Sequence, residues 1–567
     1  MFPAVIPLAL LGLIVYGVVA LVRRGHDRDV DLGGGGPGGS PVKRLFVYAM
    51  LFVSMIVAAI GLSGVIGLAI STAASRRGAD LAAPLAMTIV GVPVFAGLAI
   101  WMWRTHAADR KERTSAGWAL YINGALLVAL GTAVAQAFTV ADGIVDGRWG
   151  GTDVAGLLVW SSVWIGHWVA WRRIPPTTMP RTHLWLASGA GLWIMGGSLG
   201  FLIGNVAHRA FEAADTAVAV SDGADLQMAA AGVVIGGAVW AWHWLVNGRA
   251  ANRSEGWYAY VLLFGVLAGL IAAVAGAGFG LYLVLEWLFG SPEAATAAAH
   301  FTDVSAAIAA TAVGLGSWWY HRTVVGPSAA RERTEVDRIY DYLVSGVALM
   351  TVATAAVILV LAVFEAIAPA SATETGGGDG VDTLLAAVTL LLVGIPMWVI
   401  TWRRLQGLAA ATEEEAGSTT RRTYLLGIFG IGGTVAFGAL IGLLVAVFRA
   451  MFGEGNGESL AGEIDVPVAL LVTVGSGALY HWLVYRAERH LGARTPERDI
   501  LLVGDGVVDI AEIATRVHAR VRLLHRLDLP TGAAPTTDAI VDAIVHTQGD
   551  HLLVLAEANE VRVVPYE

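Results

Sequence analysis

The chain has 567 residues, 56% of them hydrophobic and only 14% charged, with a mean hydropathy of +0.66 and a formal net charge of −9. Water could not solvate such a surface over its whole length, so a wholly soluble protein is excluded and the expected setting is a lipid bilayer. Cysteine is absent, which removes disulfides, thiolate metal sites, cysteine-ligated iron–sulfur clusters and a cysteine nucleophile from consideration.

Residues 2–22 form an apolar run with no basic stretch before it and Arg23 and Arg24 after it, the reverse of a secretory signal peptide. This run reads as a retained membrane anchor with its N-terminus outside. Residues 23–43 follow as a tether containing Gly33-Gly34-Gly35-Gly36-Pro37-Gly38-Gly39-Ser40, a composition that cannot bury a core. Twelve further apolar runs are long enough to cross roughly 30 Å of hydrocarbon: 44–71, 82–103, 117–140, 154–171, 183–207, 226–247, 256–289, 302–321, 339–367, 382–402, 423–451 and 466–485. About thirteen crossings result, all expected to be helical because a spanning backbone finds no water and must satisfy itself. After Arg494 the composition changes. Residues 499–504 and 521–527 read as strands, 508–517 and 536–546 as helices, and 551–556 with 561–564 as a hairpin around Asn559. Residues 495–567 are therefore expected to form a small cytoplasmic α/β domain, its second helix capped by Thr536 or Thr537.

Between 44 and 490 the chain repeats. Six spans end in aligned clusters: Trp101-Met102-Trp103-Arg104, Trp164-Ile165-Gly166-His167-Trp168, Trp240-Ala241-Trp242-His243-Trp244, Trp318-Trp319-Tyr320-His321-Arg322, Trp398-Val399-Ile400-Thr401-Trp402 and Ala478-Leu479-Tyr480-His481-Trp482. Successive copies start 63, 76, 78, 80 and 80 residues apart, a period that accommodates two crossings and their loops, so the unit is a helical hairpin. Each copy opens on rings as well: Phe46 and Tyr48, Trp118 and Tyr121, Trp185, Trp257 and Tyr260, Tyr340 and Tyr342, and Tyr424. Rings at that depth read as interfacial anchors. Gly97, Gly236, Gly314 and Gly394 stand four residues before the aligned tryptophan, with Gly475 one residue off, and are expected to permit close helix packing.

Loop charge sets the expected orientation. One set of loops carries 22 lysines and arginines, among them Arg23, Arg104, Arg172, Arg249, Arg322, Arg403 and Arg421, against only Arg76, Arg77, Arg148, Arg209 and Arg449 on the other. The first set is placed in the cytoplasm, with the N-terminus outside, the C-terminus inside and the plasma membrane as the location. The fold class is an all-α membrane bundle of an anchor and six tandem hairpins, followed by the α/β domain.

The aromatic hairpin repeat, with Trp240 to Trp244, Trp318 to Arg322 and Tyr480 to Trp482 as its clearest segments, resembles the bacterial membrane family named domain of unknown function 5671. The resemblance spans about residues 44–490 and leaves the C-terminal domain outside. It implies a fold, and no active site.

The sharpest candidates for chemistry are His167, His243, His321 and His481, which share one repeat position and could ligate haem iron or a metal from a bundle. Arg104 and Thr401 occupy the same position in the other two copies, which suits a polar residue at the interface better than an obligate ligand. Within the spans polar groups are sparse: Asn123, Gln136 and Asn205 are the main amides, and Glu286, Asp303 and Glu365 lie near outer helix ends. A buried carboxylate relay for ion transport thus has little support, while passage of an uncharged or lipid-like molecule stays open. Gly504-Asp505-Gly506 reads as a tight turn more than a phosphate loop, Asp509 and Glu512 as acids at a helix start, and Glu413-Glu414-Glu415 as a solvated face. No nucleophile elbow, metalloprotease or phosphate-loop motif appears. The expected role is a membrane scaffold or sensor coupled to the cytoplasmic domain, with a haem-binding redox protein or a transporter of an uncharged or lipid-like molecule as alternatives. The expected partners are the lipid bilayer and a cytoplasmic protein docking on 495–567; nucleic acid is not expected.

Overall fold

The computed structural model describes residues 41–71, 81–108, 113–148, 150–212, 223–326, 333–367, 380–453, 460–489, 498–504, 510–517, 519–525, 535–547, 549, 551–557 and 560–566. The anchor expected at 2–22, nearly all of the tether, and Asp505, Gly506 and Asp509 lie outside these residues.

Among the described residues twelve helices are long and apolar enough to cross a membrane, one for each of the twelve runs after the anchor. They are α1 (Pro41–Ile70), α2 (Ala82–Ala108), α3 (Ala116–Val145), α4 (Gly151–Arg173), α5 (Thr182–Glu212) and α6 (Gly223–Trp240, continued by a π-turn at Ala241–Val246). Then come α7 (Glu255–Phe289, with a π-turn at Tyr260–Leu267), α8 (Val304–Val325), α9 (Glu335–Ile367), α10 (Gly380–Ala411), α11 (Thr419–Phe452) and α12 (Leu460–Glu488, with a π-turn at Leu471–Gly475). Most exceed their apolar run by a turn or two because the aromatic and basic ends stay helical beyond the hydrocarbon. Ser115 and Ser254 cap α3 and α7 through the backbone N–H groups of Trp118 and Trp257, at 3.1 and 3.3 Å.

The chain falls into two compact units, Met1–Arg403 with Gly432–Gly477, and Arg404–Ile431 with Ala478–Glu567. In the first, α1 packs on α2, α3 on α4, α5 on α6 and α7 on α8. In addition α1 meets α4, α5 meets α8 and α9 meets α12, so the first and last helices of each successive group of four come together. The expected glycines act as spacers at Gly236 and Gly314, where an added Cβ would lie 2.5 Å from the Met195 nitrogen and 2.4 Å from that of Ala273. Gly97 differs: among the described residues nothing lies within 4 Å of its missing Cβ.

The second unit holds the adjoining ends of α10, α11 and α12 and the C-terminal domain. Arg421, expected as a loop cation, is fully buried there; its Nε and Nη2 donate to the two Glu488 carboxylate oxygens at 2.6 and 2.7 Å, and Nη2 also donates to Gln406 at 2.7 Å. The Glu413 to Glu415 run is a short helical turn capped by Thr412, with Glu413 and Glu414 exposed and Glu415 half-buried. The C-terminal domain is a four-stranded sheet ordered β2 (Ala519–His525), β1 (Arg498–Gly504), β3 (His551–Glu557), β4 (Glu560–Pro565), parallel except for the β3–β4 hairpin. Alternate residues Ile500, Leu502, Leu552 and Val554 are fully buried with Ile513 of α13 (Ile510–Val517) and Ile540 and Ile544 of α14 (Thr537–Val545). Of the two expected caps for α14, Thr536 fills the role.

Candidate functional site

The aligned histidines lie in the interior, with 7, 1, 0 and 1% exposure for His167, His243, His321 and His481. Their local geometry follows from the helix. Nδ1 of His167, His243 and His321 lies 2.8, 2.7 and 2.8 Å from the carbonyls of Val163, Val239 and Ser317, one turn back. A carbonyl can only accept, so Nδ1 carries the proton and Nε2 of the neutral ring is left as an acceptor. Thr401, at the same repeat position, makes the equivalent bond to Met397 at 2.7 Å.

What meets Nε2 differs between copies. Tyr121 from α3 donates to His167 Nε2 at 2.8 Å, and Tyr260 from α7 to His321 Nε2 at 3.1 Å. The indole of Trp240 donates to Tyr260 Oη at 2.8 Å, so α6, α7 and α8 are joined by a chain running from Trp240 through Tyr260 to His321 and Ser317. In the second unit the Tyr424 and His481 rings meet edge to face at 5.7 Å. Iron at His167 or His321 would have to displace the tyrosine, since Nδ1 is held by the backbone. Among the described residues no group of three His, Cys, Asp or Glu is placed to hold a metal ion.

The aromatic ends divide into two populations. Trp101, Trp242 and Trp319 are 42–64% exposed, as interfacial anchors should be. Trp118, Trp244, Trp257 and Tyr260 are at most 1% exposed and belong to the core. Trp118 donates to the Ile174 carbonyl at 3.1 Å and Trp244 to Tyr320 Oη at 3.0 Å, so these rings tie helices to one another.

Two further histidines belong to the same layer and stand outside the aligned position. His106 is 2% exposed, bonds Met102 O at 3.0 Å and packs at 4.6 Å on Trp118. His183, at the start of α5, is 1% exposed; its backbone N–H and its Nδ1 both reach Asn123 Oδ1 at 2.9 Å. The Asn123 amide nitrogen donates to Ala119 O and Met179 O at 2.8 and 3.1 Å. This amide, singled out from sequence as one of few in the spans, is thus a joint between hairpins.

Away from this layer, α5, α7 and α8 enclose a cleft of about 780 Å³. Gly196, Gly197, Gly200 and Gly204 make its α5 wall, Ala268 and Ala272 its α7 wall, and Ala306, Ala309, Ala310 and Val313 its α8 wall. From Leu192 to His208 it runs about 24 Å along α5 at 1.5 Å per residue, and it is predominantly apolar. Polar groups mark its ends: Asn205, His208 and Ser305 at one, Ser317 at the other. Ser317 also donates to Gly265 O at 3.0 Å while its carbonyl serves His321.

The family model described as Domain of unknown function (DUF5671) matches residues 44–166 and again residues 338–476. No curated protein and no solved structure matches the chain. Each matched stretch covers a group of four helices, α1 to α4 and α9 to α12. Between them α5 to α8 have the same packing plan as α1 to α4 and contain the cleft.

Proposed function

We propose that this chain, two stretches of which match the DUF5671 model, a description that assigns no activity, is a multi-pass membrane sensor or scaffold that takes an uncharged, lipid-like molecule into the cleft of α5, α7 and α8. The cleft carries this reading. Its volume lies within the roughly 300–1,000 Å³ usual for small-molecule sites, its walls are mostly glycine, alanine and valine with Leu192, Trp193, Phe201 and Phe264 beside them, and its polar side chains Asn205, His208, Ser305 and Ser317 stand at its ends. A long apolar chain with a small polar head has that distribution of chemistry. Ser317 supports the sensing half of the proposal, because one residue touches both the cleft and the Trp240, Tyr260 and His321 chain. In this reading the basic loops and the C-terminal domain lie in the cytoplasm, at the plasma membrane; terminal reporter fusions test that orientation.

The binding test uses Gly197. Among the described residues nothing lies within 4 Å of its missing Cβ, so a phenylalanine there is expected to occupy the cleft without striking the backbone. A photoreactive long-chain alcohol, added to the full-length protein in bilayer discs, should label peptides of α5 and α8. Gly197→Phe should abolish that labelling while Gly433→Phe, on α11 and also open, leaves it intact. Equal labelling of the two variants would remove the proposal.

A further inference from the structure

We propose that His183 and His243 together hold a monovalent copper ion, Cu(I), between two neutral imidazoles in a tryptophan-lined site. The tautomers are already set for ligation. His183 Nδ1 is committed to Asn123 Oδ1 at 2.9 Å and His243 Nδ1 to Val239 O at 2.7 Å, both oxygens that accept from it. Each Nε2 therefore presents a lone pair, in the arrangement by which metal-bound histidines are usually oriented from behind. Among the described residues neither Nε2 has a hydrogen-bond partner, and each residue is 1% exposed. A buried acceptor left unmet is costly, and two of them on rings that both pack against Trp168 point to an occupant.

The other copies show what is missing here. Three residues after Trp118 and Trp257 stand Tyr121 and Tyr260, which donate to His167 and His321; three residues after Trp185 stands Ser188, whose hydroxyl is turned back to Leu184 O at 2.6 Å. The third hairpin thus lacks the tyrosine and has a second imidazole.

Both rings stand perpendicular to one indole: His183 and His243 meet Trp168 at 5.7 and 5.8 Å, with interplanar angles of 89 and 88°. Trp171 packs on His183 at 4.7 Å and Trp164 on His243 at 5.8 Å. The donor set decides the ion. Two neutral nitrogens with no carboxylate or thiolate cannot offset the desolvation of a divalent cation, whereas a d¹⁰ monovalent ion accepts two nitrogens and gains from indole faces. A buried water, donating to both nitrogens and accepting from the unpaired Trp164 Nε1, is the competing occupant.

Full-length protein in detergent, under anaerobic reducing conditions, is titrated with Cu(I) against the chelator bicinchoninate. One Cu(I) per chain should be withheld from the chelator by the unmodified protein and by His546→Gln, an exposed histidine of the α/β domain, and none by His243→Gln. Should His243→Gln fail to fold, copper X-ray absorption of the unmodified protein decides: a two-coordinate nitrogen environment is expected. Failure to compete with the chelator, copper retained by folded His243→Gln, or a different coordination number would each overturn the assignment, the first leaving the bridging water as occupant.

Discussion

The α5 to α8 group is built in two contrasting ways along its length. Where α7 begins and α8 ends, Tyr260, His321, Trp240 and Trp244 are held by hydrogen bonds, with Tyr260, His321 and Trp244 packed to near-zero exposure and Trp240 half-buried. Further along the same helices the facing residues shrink to glycine and alanine, and a cleft opens. Rings at one end fix the spacing of the helices; small residues at the other do not fill the space between them. A bundle locked at one end can receive a molecule at the other without losing its register.

Substitutions should separate the two ends. The largest effect is expected at Gly265, where a Cβ would sit 2.1 Å from the His321 ring: Gly265→Ala should lower stability by roughly 3 kcal/mol or more through overpacking, seen as a lower melting temperature in detergent. Asn123→Ala, which strands the Met179 carbonyl and both His183 donors, should cost about 3 kcal/mol by the same measurement. Tyr121→Phe removes one donor and leaves His167 Nε2 unmet; about 1–2 kcal/mol should be lost. At the open end Gly197→Ala should gain up to about 1 kcal/mol, the helix-propensity difference. A destabilised Gly197→Ala, or an unaffected Gly265→Ala, would erase the distinction between the two ends.

The helices were legible because crossing a bilayer imposes length and apolarity on the chain, and the α/β domain because its strands alternate and its second helix carries a cap at Thr536. The ring layer was half legible. The repeat marked His167, His243, His321 and His481 at one depth, but depth does not say which face of a helix meets a neighbour, so an interior layer read as an interfacial belt. His106 was missed because it lies two residues past the aligned position, and His183 because the other copies have no histidine at its place, Ala116 and Glu255 standing there before Trp118 and Trp257; the clue was Asn123, a costly amide in an apolar span that required partners. The cleft was hidden for a different reason. Glycine spells both close contact and empty space, as Gly314 and Gly197 show, and only the partner helix determines which.

The π-turn of α7 has a consequence for how this sequence can change. Tyr260 and Gly265 both address His321, one through its hydroxyl and one by leaving room for the ring. In a regular α-helix residues five apart lie about 140° from each other around the axis, so no uniform helix could present both to one histidine. A turn closed over five residues brings them back toward a common face. The segment Tyr260–Leu267 therefore behaves as an accommodated insertion. Removing one residue from it would restore an ordinary helix and swing Tyr260 away by about 100°, unfastening the ring layer while leaving the glycine contacts beyond it in phase. Length here is under tighter constraint than composition: the turn can exchange one apolar residue for another, but it cannot lose one.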